Sequence, residues 1–341
     1  MKILELGEYS NDGFGTLSFF KRGFEDLGHS VQFFQTNQNR SDIVFIDKAK
    51  RKINDIFQPK ISNKILNDFN HLVNEYKPKV ALTSLGGMSE KLPLDFLEIL
   101  TEHKIPIFCY FTDPVPEENQ EFLSTIPLYR GIFTYNRHYI PTWYWYGANV
   151  VKYLPFASDH IIHQPKKPPS DKMSYYHSPI AYLGTWQPNG ERWPSLLTPY
   201  GLKVWGNQWS KIKSNNALMD AWQGEGHGTN KDFTYICSAS NIIFNIVRAF
   251  NGQGHSMKTF EIPACKGFAI TNRTNEQLEF FPEDEACIYF STEEELIDKV
   301  EYYLNNEDAR KPITECAYKI AKDHTYRDRC NLMIKYFNEY F

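Results

Sequence analysis

The apolar run Ile3–Leu6 reads as a strand, and the polar, glycine-bearing EYSNDGFG after it reads as a loop. From Thr16 to Leu27 the apolar positions fall three and four apart, a helical period, until Gly28 and His29 stop it. Val31–Phe34 resumes as a strand, Ile65–Tyr76 is helical, KVALTS is a strand, Leu92–Glu102 a helix and IPIFCYF a strand. GIFTY, a helical segment at His138–Tyr146 and NVVKYLP close this half. Strands alternating with helices at such spacing predict a parallel sheet covered on both faces.

The alternation breaks at HQPKKPPSDK, residues 163–172, which has no periodicity and predicts a linker over 161–178. A second series follows: PIAYLGTW, GLKVWG, SNIIFNIV, a helix over Ser256–Cys265, GFAITN and ACIYFS. Helices at Thr292–Asn305, Asp308–Ala321 and about Tyr326–Tyr340 end the chain. The expected fold class is α/β, with Rossmann-like domains over 1–160 and 179–322. The carboxyl-end edges of the two sheets would face a central cleft, where open parallel sheets place ligands.

Composition narrows the function. A net charge of −4, with no long block of one sign, argues against nucleic acid as a partner. No eighteen apolar residues run together, so no membrane span is expected, and MKILELGEYS lacks the apolar stretch of a signal peptide. The six cysteines are scattered without C-x-x-C spacing, as reduced core thiols of a cytoplasmic protein would be, and suggest no zinc site. The 25 Phe, 21 Tyr and 7 Trp suit a well-packed core and leave rings to stack on planar or carbohydrate ligands.

Candidate chemistry concentrates in HSMKTFEIPACKGFAITNR, residues 255–273. The carboxylate of Glu261 sits between Phe260 and Ile262, in a segment that otherwise reads as core, so it needs a partner. A helix beginning at Ser256 after the loop NGQGH would turn backbone N–H groups toward an anion. Lys258 would add a charge-assisted bond, and Glu261 could accept from the vicinal hydroxyls of a ribose. Alternatively, Glu261 pairs with Lys258 three residues away.

The run HSMKTFEIPACKGFAITNRTNEQLEFF, with EEELIDKVEYYLNN and HTYRDR downstream, resembles the glycosyltransferases of the GT-B fold. It is most similar to the CgeB-type, spore-maturation-like branch of their group-1 enzymes. FCYFTDPVP, YIPTWYWYGANVVKYLPFASD and PIAYLGTWQPNGERWPSLL resemble further segments of that branch, so the likeness covers nearly the whole chain. It implies transfer of a sugar from a nucleotide diphosphate such as UDP to a hydroxyl acceptor, with the last helix, 323–341, crossing back onto the acceptor domain. It also implies that Glu261 holds the ribose and that Ser256 and Lys258 hold the diphosphate. Gly184, Thr185 and Arg192 would face the same phosphates, and His255 the donor sugar or phosphate. Arg192 could equally be an ordinary solvated helix residue, and Trp205 a core residue. Lys258 stands where the family usually has Arg, and Gln253 where retaining members carry a first Glu, which puts a retaining mechanism in doubt.

For the acceptor, Gly13 and Gly15 lie in the first strand-to-helix loop, which lacks the G-x-G-x-x-G of a nicotinamide site. Asp12 and Asp113 are the candidate bases for proton removal from the acceptor, although Asp113 could be a turn residue before Pro114. The chain has no Asp-x-Asp, so no metal and no cofactor beyond the nucleotide sugar is expected. The acceptor is a carbohydrate, lipid-linked, small-molecule or protein hydroxyl. A nucleotide-sugar epimerase on the same fold, or a non-catalytic nucleotide- or carbohydrate-binding protein, is the alternative.

Overall fold

The computed structural model describes residues 1–7, 13–36, 61–86, 92–115, 117–213, 215–225 and 231–340. Asp12 and most of the loop EYSNDGFG lie outside the described residues. The chain divides into two compact units, Met1–Pro155 with Arg329–Phe341, and Phe156–Asp328.

In the first unit six strands, β1 (Lys2–Gly7), β2 (Ser30–Gln35), β3 (Val80–Leu85), β4 (Ile107–Phe111), β5 (Gly131–Thr134) and β6 (Val151–Tyr153), form one sheet in the order β2-β1-β3-β4-β5-β6. Every pair is parallel. Alternate residues feed the two faces, as a strand's period of two requires. Leu4, Leu6, Ala81, Cys109 and Phe111 pack under the helices Asn63–Tyr76 and Leu94–Glu102, where Phe69 and Phe96 meet edge to face at 4.9 Å. On the opposite face Phe108 and Phe133 meet Phe337 of the last helix, Tyr326–Asn338. That helix begins in the second unit and ends in the first.

The second unit repeats the plan with β7 (Ile180–Leu183), β8 (Leu202–Trp205), β9 (Ile242–Asn245), β10 (Ala269–Asn272) and β11 (Ile288–Phe290), in the order β11-β10-β9-β7-β8 and again all parallel. Ile242 and Phe244 join the core under the helix Glu293–Asn305, whereas Ile243 between them faces Ile236, Ile262 and Cys265 on the other side. Chain order reverses between β7 and β9, so the loops leaving those two strands diverge and open a crevice at their carboxyl ends.

Residues 161–178, expected as a linker between domains, belong to the second unit. They contain a helical turn at Met173–Tyr176, and the Lys166 N–H donates to Ser238 Oγ at 3.1 Å. Proline suppressed the periodic signal, while backbone bonds to neighbouring elements hold the segment in place. All six cysteines are free thiols, five of them buried. No helix among the described residues is long and apolar enough to cross a membrane.

Candidate functional site

The helix expected at Ser256–Cys265 is shorter, Lys258–Ala264. Its first turn is tighter than an α-helix, with the Thr259 and Phe260 N–H groups donating three residues back to the Ser256 and Met257 carbonyls at 3.1 and 3.0 Å, so regular bonding begins with Glu261 N–H to Met257. Pro263 removes one donor from the last turn, and Lys266, in the left-handed region at φ 58°, ends it. Gly267 follows because a Cβ there would lie 2.7 Å from Ile262 Cγ2. Ile262 anchors the helix to the core, which aims Lys258 and Glu261 from a fixed backbone.

Glu261 is buried, and no ion pair within 4.0 Å joins it to Lys258. Its near neighbour is His163, whose Nε2 lies 3.7 Å from Glu261 Oε1. The Asp159 N–H donates to His163 Nδ1 at 2.8 Å, so the ring proton sits on Nε2 and points its dipole at the carboxylate. Asp159 is itself fixed by the N–H groups of Ile161 and Ile162, both donating to Oδ1. At 3.7 Å the His163 contact is electrostatic, so the acceptor capacity of Glu261 stays open.

Lys258 shares this environment. Burial lowers its ammonium from the usual range, the Glu261 carboxylate partly restores it, and the positive charge of Arg248 lowers it again. Arg248 stands exposed just beyond the carboxyl end of β9, its guanidinium 5.9 Å from the Phe250 ring centroid. A cation whose charge is disfavoured by burial and by Arg248 would be relieved by a bound anion. The Ser256 hydroxyl is buried without a hydrogen-bond partner.

His255 differs from the expectation of a ligand contact. It is fully buried, its Nε2 accepts the Phe156 N–H at 3.1 Å, and its Nδ1 lies 2.7 Å from Glu276 Oε2. An amide N–H can only donate, so the ring proton is on Nδ1 and goes to Glu276. Both nitrogens are committed, and Phe156, Phe260 and Phe280 enclose the ring edge to face. His255 therefore holds the segment that leads into Lys258. Gln253 is likewise occupied: its Oε1 accepts the Asn275 N–H at 3.1 Å and its carbonyl the Glu276 N–H at 3.0 Å, at the start of the helix Asn275–Phe280.

At the end of β7, Gly184 is partly buried and Thr185 exposed. The Gly184 carbonyl accepts the Trp209 Nε1–H at 2.7 Å, and a Cβ on Gly206 would lie 2.1 Å from that oxygen. These glycines let the ends of β7 and β8 approach closely. Trp205 is core. Arg192 does not face this region as a bare cation; it is exposed and pairs with Glu293 at 2.7 Å, so the solvated alternative describes it.

In the first unit, Asp113 lies two residues beyond β4, partly buried, with Oδ2 2.6 Å from where a Cβ on Gly86 would stand. Tyr139 is close enough that the charges of Asp113 and Glu117 add to burial in raising its phenol. The Gly13 carbonyl accepts from Arg22 at 3.0 Å, and Gly15 precedes the helix Thr16–Asp26. Sequence reasoning missed Arg248, whose signal is a cation directly after a buried strand, and His163, hidden in the proline-rich stretch.

Comparison with known proteins bears on both units. No curated protein matches the chain. Among solved structures it is similar to a glycosyltransferase from Rickettsia africae ESF-5, at 12% identity over 99% of this chain and 98% of that one, with a TM-score of 0.62. It is similar to the sucrose-phosphate synthase of Thermosynechococcus elongatus at 10% identity, over 100% and 99%, TM-score 0.61. A third similar structure is Anabaena HepE in complex with UDP and glucose, at 12% identity over the whole of both chains (100% and 100%), TM-score 0.62. The shared fold is GT-B, two Rossmann-like units with parallel sheets. Residues 191–335, the segment carrying Arg248, Lys258 and Glu261, match the family described as glycosyl transferase-like.

Proposed function

We propose that this chain is a glycosyltransferase of the group-1 type, in its CgeB-like branch, moving a sugar from a nucleoside diphosphate to a hydroxyl acceptor without a metal. The observation that carries the reading is the buried Glu261 on the helix that follows β9, with Lys258 one turn before it and the charge of Arg248 acting on Lys258. The match over 191–335 supports it, as does the fold shared with HepE, whose structure holds UDP and glucose.

Glu261 would accept from the ribose hydroxyls, with His163 steadying the carboxylate. Lys258 and Arg248 would hold the diphosphate, each contributing about 1.5–3 kcal/mol as a charge-assisted bond. Ser256 would turn its hydroxyl to the same phosphates, and Gly184 and Thr185 border the crevice from β7. In the transfer, the bond from the sugar's anomeric carbon to the diphosphate oxygen breaks and its electron pair leaves with the diphosphate. The acceptor oxygen bonds to the anomeric carbon and gives its proton to a base, for which Asp113 is the described candidate. The two cations offset the charge that grows on the leaving group, the role a metal has in other transferases. Gln253, neutral and engaged at Asn275, supplies no negative charge near the sugar. Action in the cytoplasm belongs to the same proposal.

The test is a thermal-shift screen of the chain against UDP, GDP, CDP, ADP and dTDP with and without Mg²⁺. A nucleotide at one hundred times its Kd stabilises by about 2.7 kcal/mol and raises the melting temperature measurably. A shift with one nucleotide, equal in both conditions, is expected; no shift with any of them rejects the reading. Incubation with the donor alone separates transfer from epimerisation, because an epimerised nucleotide sugar would reject a transferase.

A further inference from the structure

The ladder between β9 and β10 sets Ala269 opposite Ile243, Ile270 opposite Phe244 and Thr271 opposite Asn245, and there it stops. Two residues beyond Asn245, Val247 is buried, so its peptide groups need partners. Among the described residues neither its N–H nor its carbonyl bonds another backbone group. The Asn272 side chain takes both. The Val247 N–H donates to Asn272 Oδ1 at 2.7 Å, and Asn272 Nδ2 donates to the Val247 carbonyl at 3.1 Å. A side-chain amide sets one acceptor beside one donor, as a peptide does, whereas a carboxylate only accepts and a serine hydroxyl is too short to span both groups.

Asn272 is itself rooted. It is the last residue of β10, opposite Phe290 of β11, and its carbonyl accepts from Gln277 Nε2 at 2.8 Å. Arg248 follows Val247 directly, and its own carbonyl accepts the Asn251 N–H at 2.9 Å. The backbone that carries the guanidinium is thus tied on both sides, while the side chain is exposed. Burial raises the Tyr182 phenol on β7, and the charge of Arg248 opposes it; the same charge acts on Lys258. The guanidinium therefore has both β7 and the Lys258 helix within electrostatic range.

We propose that Asn272 is a positioning residue for a nucleoside diphosphate: its side chain splints the turn after β9 and holds Arg248 where the guanidinium meets the phosphates. The assignment rests on the nucleotide site proposed for this crevice. An arginine on a loose turn gives up backbone freedom when it grips an anion. One on a splinted turn has already given it up on folding, so affinity rises with no added contact to the ligand.

The test is calorimetric titration of the full chain with UDP, GDP, CDP, ADP and dTDP, followed by a double-mutant cycle on whichever binds most tightly. Arg248→Ala should weaken that nucleotide about thirtyfold and Asn272→Ala about tenfold. In the Arg248→Ala background, Asn272→Ala should change the affinity less than about twofold, because the splint has no cation left to hold. Asn272→Ser should behave as Asn272→Ala. Because Asn272 is only partly buried, circular dichroism should show the variants folded. Losses from the two substitutions that multiply, or a folded Asn272→Ala protein that binds as tightly as the wild type, overturn the proposal and leave the nucleotide site standing. Loss of the fold in both Asn272 variants assigns the side chain to stability and overturns it as well. A wild-type chain that binds none of the five rejects the nucleotide site, and the positioning role with it.

Discussion

Replacing His255 with Leu tests how the segment before Lys258 is held. The imidazole is fully buried and serves two partners, as acceptor from the Phe156 N–H and as donor to Glu276. Leucine roughly preserves the volume, so the cost is mainly polar. Leaving the amide without an acceptor costs about 1–3 kcal/mol, and losing a hydrogen bond to a charged carboxylate about 1.5–3 kcal/mol. The single variant should therefore lose about 2.5–6 kcal/mol of stability in the second unit. Glu276→Leu alone should lose less, because the ring keeps its bond to Phe156. In the double variant the carboxylate left without its donor is gone, so the combined loss should fall short of the sum by at least about 1.5 kcal/mol. Urea unfolding followed by far-ultraviolet circular dichroism, with the four proteins compared as a cycle, measures this. Losses that add to within about 0.5 kcal/mol would show that the two side chains act independently and refute the pairing.

Two further outcomes follow from the same geometry. Arg273 and Lys299 each bond both Glu283 and Glu295, and the Arg273 bond above all holds the Glu295 carboxyl down at about 2. A carboxylate with a depressed folded pKa stabilises fully above its unfolded pKa, and that stability is lost as pH falls through the folded value. Denaturation midpoints should therefore decline between about pH 4.5 and 2, and Arg273→Leu should remove about 2 kcal/mol of that dependence after solvent screening. Arg192→Ala should change nucleotide affinity less than about twofold by calorimetry, since the side chain is exposed and already paired with Glu293.

The sheets were legible because buried parallel strands must be short apolar runs, and every described strand except the edge strand β2, where only Phe34 is buried, is such a run. Helix ends were legible wherever a cap or glycine marks them, as at Gly28. The start of the helix at Lys258 was not, because the tighter first turn, in which Thr259 and Phe260 donate three residues back, leaves no mark in the apolar spacing. Glu261 and Lys258 stood out as charges inside an apolar run. His255 stood out equally, but composition cannot distinguish a ring that faces a ligand from one whose nitrogens are both spent inside the core. Arg192 and His163 show the converse: their partners, Glu293 and Glu261, lie about a hundred residues away in sequence, and only the fold brings them close.

The central claim is that Glu261 takes the ribose of a bound nucleotide. Isothermal calorimetry of the tightest-binding nucleoside diphosphate and its 2′-deoxy analogue, on the wild type and on Glu261→Ala, tests it directly. The account predicts that the wild type favours the ribonucleotide, that Glu261→Ala weakens it by about 2–4 kcal/mol, and that the variant no longer distinguishes the two. A folded Glu261→Ala protein that binds the ribonucleotide as tightly as the wild type would contradict it.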